Sequence, residues 1–440
     1  MATKQPAHKA RPSWLGMILL LAALLMNAES QAQQVKLTRK GSYSSDTDFI
    51  IFSAGDVQVA GKYAYVTGGG VFNDSRWQGL MVIDISEPAQ PRRVGFYETS
   101  GSVKAVRVQG DYAYLIHGIG IPGVPGGLLV IDVKDPTQPH PVADYPTDGF
   151  PQDVEVVGNY AYVTDWSGEP FEPYVEAPLP AGLHVLDVSD PARPVRVGRY
   201  RTAVGLHSVR VAGHYAYLGK AAGSVQDPEL QIIDVSVPAN PVRVGGYAGR
   251  FGRAHVAGRY AYLPSAEGLE VIDVSNPRSP VRVGTYHGAG GRTNTVAWRG
   301  ELEVFDRYAF LGFSVRVGND SQPYLHVIDV SESAQPVRVG QYTPPGTGWV
   351  YPVQIVGQLV YLATSHGLLI LEAQFPLVLN APVLSADKLT LSWNGGAGIK
   401  LQTTPSLTAP TWQDVPATDS ASSIELPLTE PSAFFRLIKP

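Results

Sequence analysis

At 440 residues, with 46 Gly and 36 Pro, the chain is long enough for one large repeat domain and a small module. The absence of cysteine excludes disulfides, thiol chemistry and a lipid-modified cysteine, so an exported form must be held together by its core alone. A formal net charge of -5, with no Lys/Arg cluster, argues against a polyanion-binding surface, and no nucleic-acid partner is expected.

In chain order, residues 1–32 read as a secretory signal. Lys4, Lys9 and Arg11 form a basic start, Trp14 to Met26 an apolar stretch, and Ser30-Gln31-Ala32 offers small residues for a peptidase. The apolar stretch is short for a transmembrane helix of ~20 residues. The expected mature protein is therefore secreted, periplasmic or cell-surface, with no transmembrane span after cleavage.

From residue 33 to 375 one pattern returns. Short apolar runs sit between turn signals and long amphipathic helical patterns are lacking, so the class is all-β. The second strand of each unit is a Tyr-Ala-Tyr type, at Tyr63, Tyr112, Tyr160, Tyr215, Tyr260 and Tyr308 (there Tyr-Ala-Phe), with a degenerate copy at Leu359-Val360-Tyr361. The third strand runs into an Asp: Asp84, Asp132, Asp187, Asp234, Asp273 and Asp329. A Ser-x-Pro-x-x-Pro turn and a Val-Arg-Val-Gly-x-Tyr strand follow, the closing Tyr lying 13 residues after the Asp all six times. Four short strands repeated about seven times predict a seven-bladed β-propeller. The seventh copy, Gly367 to Glu372, lacks the turn and the fourth strand, while Arg39-Lys40-Gly41-Ser42-Tyr43 resembles an orphan fourth strand. Residues 35–43 are therefore expected to complete the last blade and remove an open edge.

The repeated residues have structural tasks. The Asp and Ser oxygens suit the turn after strand three, the prolines fix that turn, and Tyr beside Ala packs a large face on a small one. Function is then expected where the repeats differ. From the second aromatic of strand two to the Asp, the chain takes 11 residues in one blade (Tyr262 to Asp273) and 25 in another (Tyr162 to Asp187). Variable loops on a constant scaffold are where binding usually lies. The richest, Asp165 to Glu176, includes Asp165, Trp166 and Glu169 and reads as an acidic-aromatic lip. Counting back eight and seven places from the strand-two aromatic gives residues expected to ring the central funnel: Lys104, Gln152, His207 and Tyr351, then Asp153, Arg253 and Glu301. An equally plain reading is a polar channel mouth, and the lip can equally be a solvated insertion.

No metal-ligating pair, nucleophile elbow or phosphate loop is present, so neither a metal nor another cofactor is expected. Residues 376–440 turn to Ser/Thr/Pro, with alternating strands that read as a small β-sandwich-like module resembling fibronectin-like appendages of secreted bacterial proteins.

The cores Leu80-Met81-Val82-Ile83-Asp84, Leu128-Leu129-Val130-Ile131-Asp132, Leu183-His184-Val185-Leu186-Asp187, Leu269-Glu270-Val271-Ile272-Asp273 and Leu325-His326-Val327-Ile328-Asp329 resemble those of the LVIVD-repeat family of exported bacterial and archaeal propellers. The flanking Tyr-Ala-Tyr and Ser-x-Pro-x-x-Pro fit as well. The resemblance implies a propeller outside the cytoplasm and supplies no catalytic motif. The reading reached here is a monomeric, non-catalytic scaffold that binds protein or glycan through its variable-loop face. The alternative is a carbohydrate-active hydrolase or lyase using funnel carboxylates, assisted by His207 or Arg253.

Overall fold

The computed structural model describes residues 34–438 apart from 45–48, 73–74, 120–125, 148, 167–180, 204, 221–229, 250–252, 266–267, 289–295, 319, 378, 380–381, 386–387, 394–398, 409, 419–420 and 428–432. The expected signal, Glu169 and most of the acidic-aromatic lip lie outside the described residues. The chain divides into two compact units, one spanning 36–374 and one holding 375–440.

The larger unit contains seven four-stranded antiparallel sheets. Blades 1 to 6 span 49–98, 102–146, 150–202, 206–247, 255–287 and 296–342, each in simple meander order. Blade 7 takes Val350–Val356, Leu359–Thr364 and Gly367–Gln374, and its fourth strand is Lys36–Tyr43, paired from Lys36↔Gln374 to Tyr43↔Leu368. The fold is a seven-bladed β-propeller.

Three repeated contacts explain why this sequence stacks its sheets. The second Tyr of one blade shares an apolar cluster with the Ala of the next: Tyr65 with Ala113, Tyr114 with Ala161, Tyr162 with Ala216, Tyr217 with Ala261, and Tyr262 with Ala309. Tyr361 of blade 7 meets Ala64 of blade 1 in the same way, in a cluster that includes Tyr43 of the N-terminal strand. A bulky ring against a methyl lets neighbouring sheets interdigitate at interior packing density.

In the turn after strand three, each repeat Asp accepts the N–H two residues on at 2.9 Å, from Asp84 with Ser86 to Asp329 with Ser331. Side-chain and backbone bonds from Ser hold Asp84, Asp187 and Asp234 below the usual carboxylate range. Asp273, bonded also by Arg259, is lowered to about 2.

Finally, the Gly of strand four lies against the next blade's turn. An added methyl would meet Pro136 O at 2.1 Å from Gly95, Pro238 O at 1.9 Å from Gly198 and Pro277 O at 1.8 Å from Gly245. Gly41 of the N-terminal strand meets Pro88 O at 2.1 Å, so this strand approaches blade 1 as an ordinary fourth strand does.

The smaller unit has two three-stranded sheets. One orders Val383–Ser385, Lys388–Ser392 and Ser423–Pro427, the other Gln413–Asp414, Lys400–Thr404 and Phe434–Ile438. Leu391, Trp393, Ile399 and Leu401 form its buried centre, with Ile424, Leu426, Phe435 and Leu437 packed against them. No helix among the described residues is long and apolar enough to cross a membrane.

Candidate functional site

Each blade's first strand carries one polar residue between two apolar ones, five places before the start of strand two. Around the propeller these are Gln58, Arg107, Glu155, Arg210, His255, Glu303 and Gln354. All seven line one cavity of about 250 Å³, which therefore sits where the blades converge. Two places earlier in the chain lie Asp56, Asp153, Arg253 and Glu301. Pairing with the second strand skips Gly55, Gln152 and His207, the residues just before this layer. A bulge of that kind twists the strand and re-aims the side chains that follow.

Asp56 and Asp153 are 1% and 0% exposed, and they repeat one motif. Asp56 accepts Val57 N–H at 2.9 Å and, from the next blade, Val106 N–H at 3.1 Å. Asp153 accepts Val154 N–H and, from its own next blade, Val209 N–H, both at 3.0 Å. Each carboxylate is thus a tie between neighbouring sheets. The glutamines work similarly: Gln58 Oε1 accepts Val108 N–H at 2.9 Å, and Gln354 Oε1 accepts Val59 N–H, linking blade 7 to blade 1.

Guanidinium groups join these ties into a network. Arg107 donates to Asp56 and to Glu155, both at 3.0 Å, and stands 3.8 Å from Asp153. Arg210 donates to Glu155 at 3.1 Å, and Arg253 to Asp153 at 2.7 Å while standing 3.8 Å from Asp56. Burial by itself would raise the Asp153 carboxyl, but Arg253, Arg107 and Arg210 outweigh it and hold the group below the ordinary value. Burial likewise opposes charge on Arg107, which Asp56, Glu155 and Asp153 overcome, raising its pKa. Glu301 is raised, first by burial, with Arg253 opposing.

The residues singled out from sequence separate. Asp153, Arg253 and Glu301 belong to this network. Lys104 Nζ bonds Gln152 Oε1 across the gap between blades 2 and 3. His207 is exposed, and Tyr351 is half-buried against the cluster joining blades 1 and 7. Asp165 and Trp166 are not on an exposed lip: they end the strand Tyr160–Trp166. Asp165 is fully buried against His184, 2.8 Å away, and the Trp166 indole lies on Gly205. An acid flanked by strand pairing and a buried imidazole is drawn inward, so the variable loop starts after it.

His184 occupies a second recurrent place, three residues before the repeat Asp. Polar residues there receive the closing Tyr of the preceding blade. Tyr200 donates to Gln231 at 2.9 Å and Tyr247 to Glu270 at 3.0 Å, and the Tyr286 hydroxyl lies 3.0 Å from His326 Nδ1. Burial, then the Glu270 bond, pushes Tyr247 up to about 12. Burial, then Arg338, pushes His326 down to about 4, so it is neutral at pH 7. The unfolded chain, titrating at the ordinary 6.5, takes up this proton first. The contribution of His326 is therefore complete above that value and drains away between it and about 4. His326→Gln is expected to remove about 3 kcal/mol of that pH dependence. The check is the difference in urea unfolding between variant and parent at pH 7 and pH 4.5; a constant difference would refute it.

Among the described residues, no group of three or more His, Asp or Glu side chains is placed to hold a metal ion. The centre is a network of charge-assisted bonds around a small polar cavity.

The LVIVD repeat family matches residues 53–99, 100–147, 148–169, 178–202, 206–249, 248–288 and 318–344, more than half of the chain. The chain belongs to the LVIVD repeat family. Its seven matched segments fall on six blades, because 148–169 and 178–202 are the two halves of blade 3. Blade 7, without the Asp turn, is the LVIVD-poor one and takes the N-terminal strand. No curated protein matches the chain. Solved structures that resemble the chain include two of low identity. The computationally designed Ika8 protein is 9% identical, with a TM-score of 0.48 over 76% of this chain and 99% of its own. BamB from Moraxella catarrhalis is 11% identical, with a TM-score of 0.45 over 78% of this chain and 97% of its own. At these values neither likeness bears on what this LVIVD protein binds.

The polar position five before strand two was the signal missed in the sequence. Every blade has it, between residues such as Val106 and Val108 or Val209 and Val211. A strand that alternates apolar, polar, apolar reads as half-solvated. Only its recurrence at one register in all seven units marks it as the wall of a channel.

Proposed function

We propose that this LVIVD protein is an exported, non-catalytic recognition scaffold that meets a protein or glycan partner on its variable-loop face. One observation carries the reading: the two fully buried aspartates at the centre, Asp56 and Asp153, are committed to holding blades together. Asp153 accepts two backbone N–H groups and a guanidinium, and Asp56 does the same. An acid/base pair for glycoside hydrolysis needs one carboxyl free to donate and one free to attack or to activate water. Carboxylates saturated by structural donors are poor candidates for either role. The opposite end of the first strands, where His207 is exposed and the connections differ between blades, is open to a partner.

The experiment replaces residues 167–176 by a short Gly/Ser turn, keeping Asp165 and Trp166 because they are packed, and compares the variant with the full chain. Binding to immobilised glycans and to extracellular protein fractions should fall at least about tenfold in the variant. Equal binding by both would remove the variable loop from the reading. Release of reducing ends from polysaccharide, abolished by Glu301→Gln, would favour the hydrolase instead.

A further inference from the structure

Tying the blades together does not use up the central cavity. Its wall carries three guanidinium groups, from Arg107, Arg210 and Arg253, and three carboxylates, from Asp56, Glu155 and Glu303. Each guanidinium is already answered by a carboxylate of the protein, Arg107 by Asp56 and Glu155, Arg210 by Glu155 and Arg253 by Asp153, so a charged guest must compete with an existing pair and a neutral one need not.

The hydrogen-bonding capacity left over is of both kinds. Gln58 and Gln354 each commit Oε1 to a backbone N–H of the next blade, which fixes the orientation of the amide. Their Nε2 groups have no protein acceptor among the described residues. Arg210 donates through Nη1 to Glu155 and to Val209 O, leaving Nη2 available. On the acceptor side, Glu155 takes both its guanidinium bonds on Oε2, leaving Oε1. Glu303 meets His255 Nδ1 at 3.3 Å, also through Oε2. Donors and acceptors spread around a wall whose guanidiniums are already paired match a guest whose every polar group both donates and accepts, and a hydroxyl is that group.

Size and access narrow the class. About 250 Å³ equals roughly eight water volumes at ~30 Å³ each and lies below the range of ~300–1,000 Å³ typical of drug-sized ligands. The wall residues lie four to seven places before strand two. At ~3.3 Å per residue, with two residues in the turn itself, the wall therefore stands roughly 7–17 Å from the turns between strands one and two. That is the constant face of the propeller, opposite the variable loops.

We propose that this cavity binds one neutral polyol or monosaccharide, entering from the constant face. The wall is preorganised, since the ties that set its side chains are the ones that hold the sheets together.

The test uses the full chain and four probes, read by calorimetry and ligand-observed NMR: myo-inositol and D-galactose as neutral guests, D-glucuronate and D-glucosamine as charged ones. The expected result is one saturable site for a neutral probe with Kd on the order of 1 mM, and charged probes at least about tenfold weaker. Gln354→Glu keeps the oxygen that accepts Val59 N–H and replaces the amide donor by an acceptor. It should weaken the neutral probe by about tenfold while circular dichroism stays unchanged. The variant with residues 167–176 replaced should bind the neutral probe as the parent does, which separates this site from the variable face. Absence of saturable binding by both neutral probes overturns the proposal, as does a charged probe binding as tightly. So does parental affinity in folded Gln354→Glu, or loss of affinity in the loop variant. The comparison of probes needs no variant, so a misfolded Gln354→Glu would not rescue the idea.

Discussion

Asp153→Ala is expected to destabilise the propeller by about 3–5 kcal/mol, the range for breaking a buried ion pair from one side. The loss has three parts. Val154 N–H and Val209 N–H each lose their acceptor, a carboxylate that is 0% exposed. Arg253, only 12% exposed, loses its 2.7 Å carboxylate and is left with Asp56 at 3.8 Å. The tie between blades 3 and 4 is removed at the centre of the fold, where no loop can relax to replace it. Asp153→Asn keeps an oxygen but puts an amide where a second acceptor stood, so it is expected to cost about 1–3 kcal/mol. Denaturant titration at constant m-value measures both. A loss below about 1 kcal/mol for Ala would mean that water enters and satisfies these donors.

The network also explains which parts of the molecule were legible in the sequence. Blade number, strand order and the role of the N-terminal strand follow from local signals: the Tyr-Ala-Tyr alternation, the Asp-Ser turn and an orphan Gly41-Ser42-Tyr43. Each has a cause within a few residues, and pairing with Gly367–Gln374 only requires that a leftover edge find a leftover strand. The centre was legible by half. Asp153, Arg253 and Glu301 come from counting along one strand, but their meaning depends on partners about 50 to 100 residues away, such as Arg107 with Asp56 and Arg253 with Asp153. A single strand cannot reveal that its one arginine faces the aspartate of the blade before. Asp165 shows the opposite error. Its neighbours Trp166 and Glu169 gave it the look of a loop acid, while the residue that draws it inward, His184, lies on the next strand of the sheet.

The glycine in the fourth strand makes a second large effect, of a different physical kind. Gly245→Ala is expected to cost about 3 kcal/mol, the upper end of the overpacking range. The new methyl would stand 1.8 Å from Pro277 O and 2.9 Å from its carbonyl carbon. Both are backbone atoms of a turn pinned by Asp273 through Ser275 N–H at 2.9 Å, so the neighbour cannot swing aside as a side chain would. The backbone conformation is not the reason, because the strand places no demand for a positive φ at this residue. Gly258, in the turn between strands one and two, separates the two causes. It has φ of 59° with open space around its missing methyl, so Gly258→Ala should cost only the ~1–2 kcal/mol of left-handed strain. Blade 2 carries Ala143 at the strand-four place, part-buried in the cluster shared with Val188, so the contact with blade 3 admits the methyl that the Gly-bearing interfaces exclude. Because each interface joins only two blades, Gly198→Ala and Gly245→Ala should add within about 0.5 kcal/mol. Strong coupling between them would show instead that the blades shift as one body, spreading a local clash around the ring.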